Sequence, residues 1–265
     1  MVLNAGGAAP AGRSADVPDA LASALQAALD RWYDPAANAF EYRGFGGSTE
    51  YRHLVDTAGL LGSFHAAALG VGRRIPFWLN VYNALVLHAV VARAVAGSVR
   101  SQADFFTASA YRVAGHICAL DDIEHGMLRG NSPRYANLRR PLAPGDARLS
   151  LAPFMFEERV QFAMHAACRS SPCPRVYRPD TSDEALEEAA RAYLSVHVRL
   201  EDGGAALRVP KLFQWYASDF GGERGVREFV IARLARDEDA ELLAQTGGNV
   251  ALHYAEFDWS LNEPQ

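Results

Sequence analysis

One stretch of the sequence decides the fold, and it reads Arg74-Ile75-Pro76-Phe77-Trp78-Leu79-Asn80-Val81-Tyr82-Asn83-Ala84-Leu85-Val86-Leu87-His88-Ala89-Val90-Val91. It is the longest apolar run in the chain, and it lacks the alternation of a half-buried strand. Pro76 suits the first turn of a helix, where its missing N–H group is no loss. The stretch therefore predicts a central buried helix. We expect it to be too short and too interrupted to span a membrane, because a span takes about 20 apolar residues.

Two carboxamide side chains, Asn80 and Asn83, interrupt this apolar helix. Residues three apart share one helix face, so both amides point the same way. A buried amide without a partner costs roughly 1–3 kcal/mol. The two side chains therefore either tie neighbouring loops to the helix or line a functional site, and their spacing leaves both interpretations open.

The composition is that of a packed globular protein. Hydrophobic residues make up 49% of the 265 residues and charged residues 22%, and a disordered chain has fewer of the former. The 31 Asp and Glu residues outnumber the 26 Lys and Arg residues, giving a net charge of −5. This balance argues against a protein that binds nucleic acid through bulk electrostatics, and no Lys/Arg block suggests an anionic membrane as partner.

The first residues and the cysteines indicate the location of the protein and the organisation of its chain. The first residues lack a basic region followed by an apolar core, so we expect no signal peptide. Three cysteines do not make a disulfide framework. Both features favour a cytoplasmic protein. Residues 1–16, rich in Gly, Ala and Pro, predict a flexible N-terminus, and residues 17–265, without repeat or linker, predict a single domain.

Around the central helix the sequence predicts an α+β fold, a single helix-rich domain whose long buried helix packs on a small, mainly antiparallel sheet. The mid-point glycine of the stretch 111–120 predicts a tight hairpin. The glycine-rich segment 42–48 fits no phosphate-binding loop and is expected to be a plain loop. Further helices are predicted at 18–33, 53–69, 122–129, 182–198, 225–236 and 239–245, and further strands at 159–166, 207–209 and 250–254.

The adjacent residues Glu124 and His125 are the first candidates for chemistry. A carboxylate near an imidazole orients the ring and raises its pKa, which suits a general base. Neighbours on a helix point about 100° apart, however, so the two side chains need not touch. A pair that merely faces solvent or a loop is an equally good interpretation.

An irregular bend with Cys168, Ser171 and Cys173, preceded by His165, is the second candidate. A bend exposes a nucleophilic side chain and leaves backbone N–H groups free to hold an oxyanion. The glycine-flanked serine of the α/β-hydrolases is absent. The Cys and His spacing fits no standard zinc site, so we predict neither a metal nor another cofactor.

Six motifs, in the same order along the chain, resemble the family called domain of unknown function 547. They are FWLNVYNAL (77–85), DIEHGMLRGN (122–131), RVQFA (159–163), SSP (170–172) leading to RVY (175–177), PKLFQWY (210–216) with DF (219–220), and DWSLN (258–262). The resemblance covers roughly residues 74–262. It implies no settled activity, because the family has none.

The chain departs from the family pattern at two places. Many members have His where this chain has Gln161, and Cys-Pro where it has Ser171-Pro172; the Ser-Ser-Pro version resembles the plant members. A serine is a far weaker nucleophile than a cysteine thiolate unless a base activates it. Cys173 is two positions further on and replaces that cysteine only if the loop is re-routed.

These observations support three hypotheses of function. The first is an acyl-transfer or amide-hydrolysing enzyme acting on a small-molecule or peptide-like substrate, with a fold analogous to papain or transglutaminase. The second is a non-catalytic binding or scaffold domain. The third is a thiol-binding module, which the resemblance suggests because some family members are fused to glutaredoxin.

The enzyme hypothesis assigns roles to ten residues. Ser171 is the nucleophile or oxyanion site, Glu124 and His125 are the acid–base element, and Asn80 and Asn83 are orienting donors. The residues expected to contact substrate are His165, Cys168, Cys173, Trp215 and Tyr216. This hypothesis requires a histidine within hydrogen-bond reach of the bend, in a cleft lined by Asn80 or Asn83. The binding hypothesis instead expects both amides to be bonded to backbone groups, with no open cavity there.

Overall fold

The structure, a computed structural model, describes residues 1–5, 16–65, 69–134, 139–234 and 250–264. Among these residues, three α-helices precede the central one, namely α1 (Val17–Trp32), α2 (Tyr42–Gly47) and α3 (Thr49–Gly59). The central helix α4 (Arg74–Ala92) is buried without interruption from Pro76 to Val90. A helix that is apolar on all sides needs neighbours on all sides, and this requirement organises the rest of the fold.

By length and by its mean hydropathy of 1.5, the stretch Val71–Ala92 is the one helix among the described residues that meets the criterion for crossing a membrane. The expectation that it is too short is therefore wrong. It is 83% buried inside the fold, and the core helix of a globular protein passes the same test of length and composition.

Helix α4 packs mainly against α1, α2, α3 and a short π-helix, Asp122–Leu128. Its main neighbours are therefore helices rather than the sheet that the sequence suggested. Helices α5 (Phe105–Ala108), α6 (Ser182–His197), α7 (Leu212–Trp215) and α8 (Gly222–Ile231) complete the helical part.

In the described part of the chain, the strands form three small sheets. The first pairs β1 (Tyr33–Asp34) with β2 (Ala39–Phe40), and the second is the predicted hairpin of β3 (Ala110–Val113) and β4 (His116–Ala119). In the third, β6 (Ala206–Val209) lies between β5 (Arg199–Glu201), which is antiparallel to it, and β7 (Ala251–Tyr254), which is parallel. Many helices with small, mainly antiparallel sheets confirm the predicted α+β class.

The hairpin turn shows why glycine is needed at its mid-point. Ala114 and Gly115 both adopt positive φ angles, 48° and 82°. Two successive residues of this kind form the tight turn whose twist matches that of the flanking strands, and glycine adopts the conformation without steric cost.

Two local predictions are wrong. Residues 159–166 were expected to form a strand, but Glu158–Phe162 is a 3₁₀ turn followed by irregular backbone. Residues 42–48 were expected to form a loop, but they contain α2, which begins where the Glu41 carboxylate accepts a hydrogen bond from the Gly44 N–H at 2.8 Å. The helix predicted at 239–245 lies outside the described residues.

The first five residues contact the rest of the fold, while the flexibility expected for residues 1–16 stays a prediction. Val2 forms a bridge with Ala110 beside the hairpin. The Asn4 amide donates to the carbonyl oxygens of Ala58 (2.8 Å) and Arg112 (3.0 Å) and accepts from the Arg112 N–H (2.7 Å). These contacts attach the start of the chain to the main core.

Candidate functional site

The π-helix Asp122–Leu128 carries the acid–base pair predicted from the sequence. Helical turns of this type are rare and occur frequently at functional sites. Oε1 of Glu124 lies 3.6 Å from Nδ1 of His125, so the two adjacent side chains do come together. The two Glu124 oxygens accept hydrogen bonds from the Tyr216 hydroxyl (2.7 Å) and the Tyr82 hydroxyl (3.3 Å).

Arg129, one turn after His125, is the centre of a buried network. It is 2% exposed, and its Nε and Nη2 atoms donate to the two Asp219 oxygens at 2.6 and 2.7 Å. Its Nη1 atom donates to Nδ1 of His125 at 2.9 Å, and Gln161 donates to Asp219 at 2.7 Å. Bidentate ion pairs of this geometry are strong and directional, so Asp219 fixes Arg129 and Arg129 fixes the imidazole. We call these residues the Glu124 network: Tyr82, Glu124, His125, Arg129, Gln161, Tyr216 and Asp219.

The hydrogen bonds define the protonation state of this network. A guanidinium group only donates, so Nδ1 of His125 accepts, and the neutral ring carries its proton on Nε2. Burial lowers the pKa of His125 below its ordinary value; the charge of Glu124 opposes this shift, and those of Arg129 and Arg134 add to it. Burial raises the pKa of Glu124, but the charge that His125 carries when it is protonated, the Tyr216 hydroxyl and Arg129 together bring it below its ordinary value. The network therefore holds a carboxylate beside a neutral imidazole, whereas a general base of raised pKa was expected.

A cavity of about 330 Å³ opens against the Glu124 network. Its polar and charged lining residues are Arg100, Gln102, Asp121, Glu124, His125, Arg134, Gln161 and Ser171. Its aromatic lining residues are Tyr82, Phe106, Trp215, Tyr216, Phe257 and Trp259. An aromatic lining with a few converging polar groups is typical of a small-molecule site.

Four aromatic side chains, Phe106, Trp215, Phe257 and Trp259, form one side of this cavity, which we call the aromatic wall. The Trp215 and Trp259 rings stack with centroids 5.7 Å apart, and Phe257 lies 5.1 and 4.6 Å from them. The Phe106 ring is 6.3 Å from Trp259. The guanidinium carbon of Arg100 lies 4.0 Å from the centre of the Trp259 ring, which is a cation–π contact.

A C-terminal strap, residues 257–262, holds two rings of the wall in place. Its backbone pairs with the bend that follows His165, because the Arg169 N–H donates to the Ser260 carbonyl at 2.9 Å. The Asp258 N–H donates to the Ser170 hydroxyl, also at 2.9 Å. The strap and the bend therefore position one another.

A second cavity, of about 630 Å³, shares Asp121, His125 and Arg134 with the first. Arg134 forms an ion pair with Asp121 at 2.6 Å. Burial raises the pKa of Asp121 to about 6, although Arg134 opposes the rise. The ion pair and the His125 ring thus form a border between the two cavities.

The Ser171 hydroxyl lies next to a histidine, as the enzyme hypothesis requires. It does not donate its proton to that histidine, however. Its Oγ atom is 2.9 Å from Nδ1 of His165. That nitrogen is also 2.7 Å from the Pro172 carbonyl oxygen, and the hydroxyl is 2.9 Å from the Cys168 carbonyl oxygen. Carbonyl oxygens only accept, so His165 carries its proton on Nδ1 and Ser171 donates its own proton to the backbone. Burial lowers the pKa of His165 to about 4, which keeps the ring neutral.

Asn80 and Asn83 tie the segment 163–177 to α4. Asn80 exchanges two hydrogen bonds with the Tyr177 backbone, at 2.7 and 2.9 Å. Asn83 donates to the carbonyl oxygens of Ala163 (3.1 Å) and Arg175 (3.3 Å), and it accepts from the His165 N–H (3.0 Å). Neither amide lines the cavity. In this structure both amides act as loop ties, and their role as orienting donors stays a prediction. We call Asn80, Asn83, His165 and Ser171 the Ser171 network.

The cysteines do not provide a reactive thiol at the cavity. Cys168 is fully buried, and burial raises its pKa to about 12; Cys118 is raised in the same way. Cys173 is half-buried and does not line the cavity. A thiol of raised pKa is a poor nucleophile. In the part of the chain that the structure describes, no group of three or more His, Cys, Asp or Glu side chains is placed to hold a metal.

The structure divides the ten predicted site residues equally. Those that line the cavity are Glu124, His125, Ser171, Trp215 and Tyr216, and those that do not are Asn80, Asn83, His165, Cys168 and Cys173. Arg129 and Asp219 were not predicted, although both lie in family-like motifs. The available signal was the spacing of Arg129, four residues after His125, which places them on one side of a helical segment.

A comparison with protein families finds a match for the central part of the chain. Residues 68–194 match the family described as "Protein of unknown function, DUF547". This segment is a DUF547 domain. The match includes α4, the π-helix and the bend with Ser171, so the DUF547 domain supplies the carboxylate side of the cavity. Trp215, Asp219 and the C-terminal strap follow the matched residues. No curated protein and no solved structure matched the chain.

Proposed function

We propose that the DUF547 domain, completed by the residues that follow it, is a binding module for a small molecule or a peptide-like group. The observation that supports this proposal is the cavity of about 330 Å³ between the aromatic wall and the Glu124 network. Aromatic surface supplies contact area at low entropic cost, and a few fixed polar groups select the ligand. The net charge of −5 fits a ligand other than a nucleic acid.

Acyl transfer by Ser171 is the second candidate, because Ser171 lies 2.9 Å from His165 and lines the cavity. Attack by Ser171 needs its hydroxyl proton to turn away from the Cys168 carbonyl oxygen. It also needs His165 to give up the proton that it donates to Pro172. Each change breaks a buried hydrogen bond with a net contribution of roughly 0.5–1.5 kcal/mol. Binding needs neither change, and we therefore prefer it.

The binding proposal is tested by filling the cavity. Ala103 is exposed and lines the cavity, whereas Ala192 is exposed on α6 and does not. A fragment library is screened against the wild-type chain by ligand-observed NMR and by the fluorescence of the wall tryptophans. We expect Ala103→Trp to abolish binding of the hits and Ala192→Trp to leave it unchanged, with both variants folded by circular dichroism. Hits that bind Ala103→Trp as well as wild type, or a screen without hits, contradict the proposal.

The second candidate has its own test. Activity-based profiling with amide and ester libraries compares the wild-type chain with Ser171→Ala and Cys173→Ala. Turnover that disappears in Ser171→Ala but persists in Cys173→Ala supports acyl transfer. Turnover that is absent from the wild type, together with ligand binding, supports a binding module.

A further inference from the structure

We propose that the group recognised in this cavity is a cation, a primary ammonium or guanidinium group carried on a short apolar body. This inference rests on the proposed binding function and specifies its ligand. It follows from the charge of Glu124 and from the cation–π contact that the aromatic wall already makes with Arg100.

Three carboxylates lie in or next to the cavity, and two of them have an arginine partner. Asp219 forms a bidentate pair with Arg129, and Asp121 lies 2.6 Å from Arg134. Glu124 differs: among the described residues, no Lys or Arg nitrogen lies within 4.0 Å of its oxygens. A buried charge is normally paired, because removing a carboxylate from water is costly.

The groups in direct contact with Glu124 are neutral, and the charges of Arg129 and Arg134 act on it from more than 4.0 Å away. Two tyrosine hydroxyls donate to it, and the ring next to it, His125, is neutral because Arg129 occupies Nδ1. Its side chain is 12% exposed and lines the cavity. A positively charged ligand in the cavity would meet the ionised Glu124 carboxylate in a poorly solvated place. The attraction between opposite charges is strong there.

The aromatic wall also favours a positively charged ligand. Arg100 already lies 4.0 Å from the centre of the Trp259 ring, and Arg129 lies 4.6 Å from the centre of the Tyr216 ring. Both contacts place a guanidinium group over an aromatic face, which attracts cations through its quadrupole. The cavity therefore combines the two features by which proteins bind organic cations, a carboxylate and aromatic faces.

An anionic ligand fits the cavity less well. Inside the cavity, the negative charge of the ligand and that of the Glu124 carboxylate would repel each other. Of the two arginines in the lining, Arg134 is already paired with Asp121, and Arg100 is exposed at the rim over Trp259. An anion at the rim alone would leave the apolar cavity unfilled.

Three probes that share a phenylethyl body and differ in the terminal group test the sign of the recognised charge. They are 2-phenylethylamine, 2-phenylethanol and 3-phenylpropionate, which carry charges of about +1, 0 and −1 at pH 7 on the same ring. Each is titrated into the full chain by isothermal titration calorimetry. We expect the amine to bind at least about tenfold more tightly than the alcohol, and the carboxylate to bind most weakly.

Two variants and a control assign the effect to the cavity. Glu124→Gln keeps the shape and one acceptor, and we expect it to weaken the amine about tenfold and to leave the alcohol unchanged. Arg100→Gln removes a like charge from the rim, so the amine binds about two- to threefold more tightly and the carboxylate more weakly. Arg224→Gln makes the same change of net charge on exposed α8 and changes none of the three affinities.

The possible failures are distinguishable. An alcohol or a carboxylate that binds as tightly as the amine overturns the cation inference, as does an equal loss for all three probes in Glu124→Gln. If none of the three binds but other compounds bind in a manner that Ala103→Trp abolishes, the cation inference fails and the binding function stands. If no compound of any class binds, both proposals fail.

Discussion

The Ser171 network and the Glu124 network are both buried and polar, yet they are built from different partners. In the Ser171 network the side chains bond mainly to backbone groups of one loop, such as Ala163, His165 and Tyr177. In the Glu124 network they bond mainly to one another, and five of its seven members line the cavity, whereas Ser171 alone does so in the other network. The difference teaches that burial and residue type do not separate structural ties from ligand contacts, whereas the identity of the partners does.

The two histidines show the same contrast. His165 donates from Nδ1 to a backbone carbonyl, and His125 accepts at Nδ1 from Arg129. The two neutral rings are therefore opposite tautomers. The proton of His165 is used inside the fold, while that of His125 is on Nε2, the nitrogen that Arg129 does not contact.

The largest effect is expected in the Glu124 network, from Asp219→Ala. This change leaves Arg129 as a charged group, 2% exposed, without its bidentate partner. We expect a loss of about 3–5 kcal/mol in the free energy of unfolding, measured with urea. Glu228→Ala is the control, because it breaks an exposed pair with Arg224 and costs at most about 1 kcal/mol. Equal losses in the two variants would contradict the account.

Asn83→Ala breaks the Ser171 network. The change leaves the His165 N–H and the Ala163 carbonyl oxygen buried without their partner, so we expect a loss of about 2–4 kcal/mol in unfolding free energy. The folded protein should bind cavity ligands with unchanged affinity, in contrast to Glu124→Gln. A folded Asn83→Ala variant with a tenfold weaker affinity would make Asn83 part of the binding site and remove the distinction.

The neutral His165 ring predicts a pH dependence of stability. Its pKa is lowered by burial from 6.5 to about 4, so the unfolded chain binds a proton that the native state does not. The stability due to the neutral ring is complete above pH 6.5 and is lost as the pH falls towards 4. His165→Asn keeps a donor near Pro172 and cannot titrate. The difference in unfolding free energy between wild type and variant should therefore fall by about 1.4 kcal/mol per pH unit in this window. Parallel curves would show that His165 titrates normally.

The smallest effect is expected from Ser171→Ala, which removes one buried hydrogen bond to the Cys168 carbonyl oxygen. We expect a loss of about 1 kcal/mol in the free energy of unfolding. Although Ser171 lines the cavity, its hydroxyl proton is used in the backbone hydrogen bond, so we expect unchanged ligand affinity. Ser150→Ala, at an exposed position, should change stability by less than about 0.5 kcal/mol. If Ser171→Ala abolishes ligand binding, the Ser171 network belongs to the site.

The sequence predicts the elements whose signals are local. Helix α4 is predicted closely because its long apolar run lacks the alternation of a strand, and the hairpin is predicted because Gly115 marks its turn. The supposed strand at 159–166 has the apolar composition of a strand. Two of its backbone groups, the Ala163 carbonyl oxygen and the His165 N–H, are satisfied instead by the Asn83 side chain, which lies 80 and 82 residues earlier in the chain. No local pattern contains this information.

The sequence predicts the candidate site only where its residues are neighbours along the chain. Glu124 and His125 are adjacent in sequence, so their partnership is visible there. The aromatic wall combines Phe106, Trp215 and Trp259 from distant parts of the chain, and Arg129 meets Asp219 across 90 residues. These contacts depend on the tertiary fold, which hydrophobic periodicity does not specify.

The central claim, that one network faces a ligand and the other holds loops, is tested most directly by nitrogen-15 NMR of the histidine side chains. The account predicts a neutral His125 protonated on Nε2 and a neutral His165 protonated on Nδ1 at pH 7. Addition of 2-phenylethylamine should shift the His125 signals and leave those of His165 in place. Identical tautomers in the two rings, or a response of His165 equal to that of His125, would contradict the claim.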